Sequence, residues 1–478
     1  MIDEKELLLA EDFNNDDVSN DIESQNEKSP EAEHEQEAGF QTTQVIALCC
    51  AAIVEPVACF CIFPFIAEMI QKTGGTSGSD VGFWAGAIES LFSVVQMGVM
   101  MAYGELLLVN DDWSYTLLHC DTKLTSALGR MSDKFGRKPV LVFSLLGLSV
   151  TTMLFGLSRS LLQMVIFRCL SGLFAGSVVT ARIMVSESCT ASTEARTFAW
   201  FMFSRNLGLL LGPIIGGLFA NVQLFDQVPI LKDYPYFPAT FAAGATCLLG
   251  TILIAVLSKE TLTKTKAEKN GPAKDAMTTL QLLRSPGVSA ALFSFGCTRF
   301  LSLANTAVLP VFLFTSIDKG GFGFSPQSIS YFLAGWAACQ AIWTLVCFAP
   351  LKRRLGNARV MQLCSAGWPL LFASFAVLNE LLRHGHTTLF WTFLAVPLLL
   401  GGGIAMSFAS AQLLVNDTCP SPQETALINA ISQTLNSAIR AVTPAIFTTV
   451  FALSTKYQIL DGHLCWLALA AVALPLSL

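Results

Sequence analysis

Charge is the scarcest feature of this 478-residue chain. Asp, Glu, Lys and Arg together make up 13% of it, about half of what a soluble globular protein carries. Histidine occurs five times, and neither a C-x-x-C nor an H-E-x-x-H pattern is found, so the spacing of a metal site is missing. No G-x-x-x-x-G-K-[ST] stretch offers a phosphate-cradling loop for ATP. The fourteen cysteines fall mostly within apolar runs, among them Cys49, Cys59, Cys247 and Cys339, and read as small hydrophobes rather than a disulfide framework. His384-x-His386 reads as part of a solvated loop. These absences exclude an ordinary cytosolic enzyme and leave nucleic acid an unexpected partner. No enzymatic activity and no bound cofactor are expected.

What is present is apolar: 53% of residues are hydrophobic and the mean hydropathy is +0.56. The charge is also unevenly placed. Residues 1–41 hold 14 acids and 2 bases, leaving 21 acids and 27 bases for the rest. The first 41 residues are too polar to bury a core and are expected to form a disordered acidic tail. Within it Asp3-Glu4-Lys5-Glu6-Leu7-Leu8 matches an acidic dileucine sorting pattern, a match that so acidic a segment also yields by chance. The first apolar run starts near Thr42 and is expected to serve as the membrane signal, with no cleavable leader ahead of it.

Twelve apolar segments approach the roughly 20 residues a spanning helix needs: 43–70, 81–103, 140–157, 161–183, 198–220, 236–257, 288–316, 331–350, 361–382, 387–415, 427–453 and 464–478. The last is short, so either that helix starts earlier or the chain is truncated. With the tail inside, the short internal loops carry 15 Lys and Arg against 6 outside, which predicts both termini in the cytoplasm. The connection 258–287 divides the spans six and six. A tail (1–41), an N-terminal bundle (42–257), a central loop (258–287) and a C-terminal bundle (288–478) are therefore expected, with a binding cavity between the bundles. The sequon Asn416-Asp417-Thr418 falls on the cytoplasmic side and should stay bare.

Between spans two and three stands Gly129-Arg130-Met131-Ser132-Asp133-Lys134-Phe135-Gly136-Arg137-Lys138-Pro139. Its glycines permit a tight turn, and its carboxylate can pair with bases or with a helix N-terminus. This matches the G-x-x-x-D-x-x-G-R-K signature of the major facilitator superfamily, at its characteristic place. Span five holds Gly208-Leu209-Leu210-Leu211-Gly212-Pro213-Ile214-Ile215-Gly216-Gly217, similar to the G-x-x-x-G-P-x-x-G-G motif of proton-coupled exporters of that superfamily. Small residues four apart let helices approach, and Pro213 removes a backbone bond. Arg168-Cys169-Leu170-Ser171-Gly172 resembles the same group's R-x-x-x-G. From Gln44 onward the chain resembles fungal twelve-span drug:proton antiporter-like members, related to zinc-induced facilitators and tetracycline exporters. Glu55-Pro56, the stretch 86–90, the stretch 321–326 and the stretch 440–444 support the likeness. Departures are Ala52 where many members have Arg, Ala430 where Gly is usual, a degenerate second signature at 355–359, and no His-rich central loop. The last makes a zinc-related substrate doubtful.

The segment 105–128 does not belong to this pattern. Removing it with one flanking glycine restores the family spacing as MMAYGRMSDKFGRKP. With that glycine it makes 25 codons, compatible in size and phase with a fungal intron, so it is either an intron retained in the transcript or gene model, or a genuine insertion lying as an interfacial turn. Sequencing the cDNA decides between them.

An ionisable residue within a span is costly and a functional candidate. The first half offers Glu55 in span one, Glu89 in span two and Arg168 in span four. At about 1.5 Å per residue, Glu89 and Arg168 lie at matching depths, roughly 10–12 Å from the outer ends of their helices, which lets them pair, and Glu55 sits deeper. Desolvation raises a carboxylate's proton affinity and a nearby Arg lowers it, so Glu55 is the expected proton carrier, Arg168 its tuner and Glu89 the runner-up. The alternative for each acid is a static contact that fixes helix packing. Arg182 and Arg205 lie nearer their inner span ends and are expected to snorkel. In the second half Arg299, Asn305 and Arg440 are candidates for the substrate cavity, with Arg299 leaning toward an anionic group and Arg440 also open to a structural role. The resemblance implies an all-α membrane protein of twelve helices in two pseudo-symmetric bundles. By that likeness it would be a monomeric exporter that exchanges a small organic molecule for protons, in the plasma or vacuolar membrane. A sugar or nutrient importer of the same fold and a non-transporting sensor or inactive isoform are the rivals.

Overall fold

Each of the twelve apolar segments coincides with helix in the computed structural model, which describes residues 30–75, 80–108, 136–189, 193–220, 233–261, 279–419 and 425–477. In the first half these are α1 (Pro30–Phe60), α2 (Ile66–Gly74), α3 (Val81–Leu108), α4 (Arg137–Phe155), α5 (Leu161–Phe174), α6 (Ser177–Ser188), α7 (Glu194–Phe219) and α8 (Phe237–Leu257). The second half holds a short α9 (Thr279–Arg284), then α10 (Val288–Phe314), α11 (Pro326–Ile342), a π-helical turn (Trp343–Cys347), α12 (Phe348–Leu355) and α13 (Asn357–Arg383). It ends with α14 (Thr387–Phe393), α15 (Ala395–Ile404), α16 (Met406–Asp417), α17 (Thr425–Tyr457) and α18 (Leu464–Ser477). No strand occurs among the described residues.

The chain divides into two compact units, Met1–Thr42 and Thr43–Leu478. Residues 1–29 of the expected tail lie outside the described residues. The backbone is already helical at Pro30, ahead of the first apolar run, because Pro30-Glu31-Ala32-Glu33 puts a proline and acids at a helix start and is followed by good helix formers. Most of the insertion 105–128 and the signature residues Gly129 and Asp133 also lie outside the described residues. So does the greater part of the central loop 258–287.

Nine of the described helical runs are long and apolar enough to cross a bilayer, with mean hydropathies of 1.3 to 2.1. The exterior is greasy: Val256 is 73% exposed, Leu162 and Phe293 68%. Such an apolar surface suits lipid and not water, and the chain is an integral, multi-pass membrane protein. The last helix begins at Leu464, after a turn in which Gln458, Leu460 and Asp461 take positive φ, so the earlier start is not found. Its brevity is offset by Trp466, fully buried and packed on Phe375 at 4.7 Å and Phe312 at 4.9 Å.

Three breaks within spans position the site. α1 gives way to a turn over Cys61–Phe65 before α2, α5 and α6 are separated by a turn at Ala175–Gly176, and the π-helical turn interrupts the eighth segment. Breaks free backbone carbonyls for other donors, which a lipid-embedded chain tolerates only inside protein or along a cavity.

The two halves meet at the end away from the signature loop. There Ser330 Oγ donates to the Pro213 carbonyl at 2.7 Å, Gln327 Nε2 to the Ala220 carbonyl at 2.9 Å, and Lys456 pairs with Asp80 at 3.8 Å. Along the same seam the Ala445 amide donates to Ser90 Oγ at 2.9 Å.

Candidate functional site

Glu55 is buried, one residue before Pro56 in α1. Its Oε1 accepts from Gln96 Nε2 at 3.2 Å, and its Oε2 lies 3.5 Å from Ser177 Oγ. Gln96 also donates to the Ala175 carbonyl at 3.0 Å, a group exposed by the break between α5 and α6. Ser177 opens α6, so Glu55 faces a helix N-terminus, where backbone dipoles favour negative charge. Among the described residues no ion pair holds this carboxylate.

Glu89 and Arg168 are brought together, as their depths in the sequence suggested. Arg168 Nη2 lies 3.3 Å from Glu89 Oε2 and also donates to the Cys59 carbonyl at 3.3 Å. The guanidinium sits 4.9 Å from the centre of the Phe92 ring and 5.8 Å from that of Phe155. Gly172, last of the R-x-x-x-G motif, is the reason α5 comes this close: a Cβ there would meet the Phe92 carbonyl at 2.7 Å. Arg168 does not touch Glu55; the carbonyl it binds, that of Cys59, lies one turn beyond Glu55 on α1. Its direct partner is Glu89.

The span-five motif divides its work between two neighbours. Cβ atoms at Gly208 and Gly212 would press on Ile53 and Pro56 and on Phe60, and one at Gly216 on the Cys61 carbonyl. These three glycines thus seat α7 on the stretch of α1 that carries Glu55. Gly217 faces the other half instead, where a Cβ would overlap Ser330, and Pro213 supplies the carbonyl that Ser330 binds. The stretches 86–90 and 440–444 likewise turn out to face each other, Gly86 packing on Thr448 and the Pro444 carbonyl.

At the signature loop, Gly136 has φ +103, and a Cβ there would strike the Glu260 carboxylate. Glu260 accepts from the Arg137 amide at 2.7 Å and the Lys138 amide at 3.1 Å, capping α4. Arg137 pairs with Glu187 at 3.3 Å, and Thr261 Oγ1 donates to Glu187 at 2.6 Å. Neither Glu187 nor Glu260 was singled out from the sequence. The signal available was only that each acid closes a span on the side where the signature places its bases.

The three candidates for a substrate cavity do not form one group. Arg440 stands 5.6 Å from the Phe92 ring, on the same ring as Arg168. Asn305 is buried in a cavity of about 20 Å³ with Ser302, Thr306, Trp336, Gln340 and Trp368, room for water rather than for an organic substrate. Arg299 lies over Phe295 at 5.2 Å and Phe408 at 5.1 Å. Arg182 and Arg205 are within its electrostatic reach. Both are half-buried, and each has one guanidinium nitrogen buried without a hydrogen-bond partner. Among the described residues no group of His, Cys, Asp and Glu is arranged to hold a metal ion.

Comparison with known proteins agrees with this architecture. The family model described as Major Facilitator Superfamily matches residues 124–473. The chain is 38% identical over 448 residues to the efflux pump azaK of Aspergillus niger, covering 94% of this chain and 89% of the pump. It is 24% identical to the class B tetracycline resistance protein of Escherichia coli, over 72% of this chain and 78% of that one. The crystal structure of the nucleoside transporter NupG superposes with a TM-score of 0.62 at 14% identity, covering 91% of this chain and 97% of that one.

Proposed function

The chain belongs to the Major Facilitator Superfamily, and we propose that it exports a small organic molecule in exchange for protons. Transport proceeds by alternating access, the two halves rocking about a central site with no covalent chemistry. The direction is supported by the relatives, one an efflux pump and one a resistance protein, and by the span-five motif. That motif argues against the importer that shares the loop signature.

A contrast between two acids within the spans, Glu55 buried and Glu89 half-buried, carries the proton assignment. Glu89 is tied to a charged partner, Arg168, and protonating it would strand the guanidinium. Glu55 has neutral partners, Gln96 and Ser177. A hydroxyl both donates and accepts, so Ser177 can serve the ionised carboxylate as donor and the protonated one as acceptor. Gln96 can keep donating to the other oxygen. Glu55 thus changes charge without leaving a buried polar atom unsatisfied, which a proton carrier needs and a static contact does not. Arg168 tunes it from the adjacent turn of α1. Of the three cavity candidates Arg299, with a buried nitrogen that no residue partners, is the substrate contact, whereas Asn305 lines a water-sized cavity and Arg440 packs on Phe92.

By the distribution of bases both termini lie in the cytoplasm, and the chain works as a monomer in the plasma or vacuolar membrane. The test uses inverted membrane vesicles and a compound selected by rescue of a sensitive host. Glu55→Gln should abolish uptake driven by a proton gradient while leaving gradient-free exchange of the compound intact. Gradient-driven uptake equal to that of the wild type would overturn the assignment.

A further inference from the structure

We infer that Arg182, Arg205 and Arg299 form the substrate-recognition site, and that the substrate is an organic anion, held best when it carries two acidic groups. This rests on the reading of the protein as a transporter. The three arginines come from α6, α7 and α10, so both halves contribute. Arg205 acts electrostatically on both of the others, and Arg182 also acts on Arg299. Three like charges share a weakly screened region, where their repulsion is strong. Among the described residues none of the three has a carboxylate within ion-pair distance, and each keeps a buried nitrogen without a hydrogen-bond partner: Nε of Arg182, Nη1 of Arg205 and Nε of Arg299. Arg168 also keeps its Nε without a partner, but its Nη2 is held by Glu89 and a carbonyl.

An arginine in a membrane interior seeks a counter-charge or carbonyls, and among the described residues none of the three is hydrogen-bonded to either. The planar fork of each guanidinium suits a carboxylate. The rings of Phe295 and Phe408 hold the face of Arg299 and leave its edge to donate. Among the described residues Glu55 is the one acid that acts on Arg182, less strongly than Arg205 does, and none acts on Arg299. Three positive charges against that single negative one leave a deficit that two acidic groups fill.

The experiment uses the full chain in detergent, with phthalate, benzoate and the uncharged phthalamide as probes of thermal stability. Phthalate should raise the melting temperature most, benzoate less and phthalamide least. Arg205→Gln should weaken the phthalate effect about tenfold or more in half-saturating concentration. It should also raise the melting temperature of the free protein, because it relieves repulsion; a merely structural arginine would lower it. Should that variant fail to fold, Arg205→Lys, which keeps the charge but not the fork, and the wild-type probe series still decide. Equal stabilisation by phthalate and phthalamide, or an Arg205→Gln or Arg205→Lys variant with unchanged phthalate response, would overturn the site.

The pH dependence separates this inference from the antiport reading. Charge alone, acting through Arg182, makes a bound anion and a proton on Glu55 favour each other, so antiport requires the change of conformation to impose their exclusion. Phthalate binding that weakens from pH 8 to pH 6 fits exchange for protons. Binding that strengthens over that range leaves the anion site standing and contradicts antiport.

Discussion

Ser330 reaches across the seam between the halves and donates its hydroxyl to the Pro213 carbonyl at 2.7 Å. The contact exists because Gly217, one turn on from Pro213, has no side chain: a Cβ there would overlap Ser330 itself. The exporter-type motif of α7 is therefore read twice, once by the helix that carries Glu55 and once by the opposing half.

Gly217→Val should wedge the seam open while α7 still packs on α1 through Gly208, Gly212 and Gly216. We expect flux to fall more than about tenfold, since losing one hydrogen bond and a close contact shifts a two-state equilibrium by about 1–2 kcal/mol. Folding, read from a monodisperse gel-filtration profile, should be retained. Ser330→Ala should show the hydrogen-bond part alone, a severalfold loss. Wild-type flux in Gly217→Val would show that the seam does not govern access.

Arg168→Ala should be far more disruptive to stability than any change at Glu55. It leaves the Glu89 carboxylate and the Cys59 carbonyl without a donor, and breaking one side of a buried pair costs about 3–5 kcal/mol. Glu55→Gln keeps hydrogen-bonding capacity toward Gln96 and Ser177 and should cost about 1 kcal/mol or less. Thermal unfolding in one detergent compares them directly. Equal losses would mean that Glu55 is as structural as the Glu89–Arg168 pair.

Gly136→Ala should cost about 1–3 kcal/mol from its positive φ alone, and more because the added methyl meets Glu260. Glu260→Gln should weaken the cap on α4 without that strain. Proteolysis near the start of α4 should rise in both variants and more in Gly136→Ala. If Gly136→Ala resists protease as the wild type does, the fixed contact between Gly136 and Glu260 is not what holds the loop.

The fold was legible because bilayer physics writes it into the chain as long apolar runs, with bases collected in alternate loops. The positions of Glu55, Glu89 and Arg168 were legible for the complementary reason, that charge inside a span is rare. Their partnerships were only half so. Residue depth suggested that Glu89 and Arg168 meet, and they do. Gln96 and Ser177, which hold Glu55, gave no signal, since neutral polar residues recur throughout these spans. Glu260 lies 124 positions from Gly136, a separation that no local spacing rule can bridge. Arg205 was placed at an interface by counting from the helix end, whereas its direction depends on how α7 is rotated. That rotation is set by Gly208, Gly212 and Gly216 pressing on α1.

Alternating access is tested most directly by fastening the seam. Gln327→Cys and Ala220→Cys, introduced together in a background stripped of accessible cysteines, put thiols at the two residues joined by the 2.9 Å bond, where a short bis-methanethiosulfonate oxidises both into one disulfide-linked bridge. Transport should stop on oxidation and return on reduction, while either single variant transports in both states. Undiminished transport by the fully oxidised pair would contradict a mechanism in which the two halves part at this end.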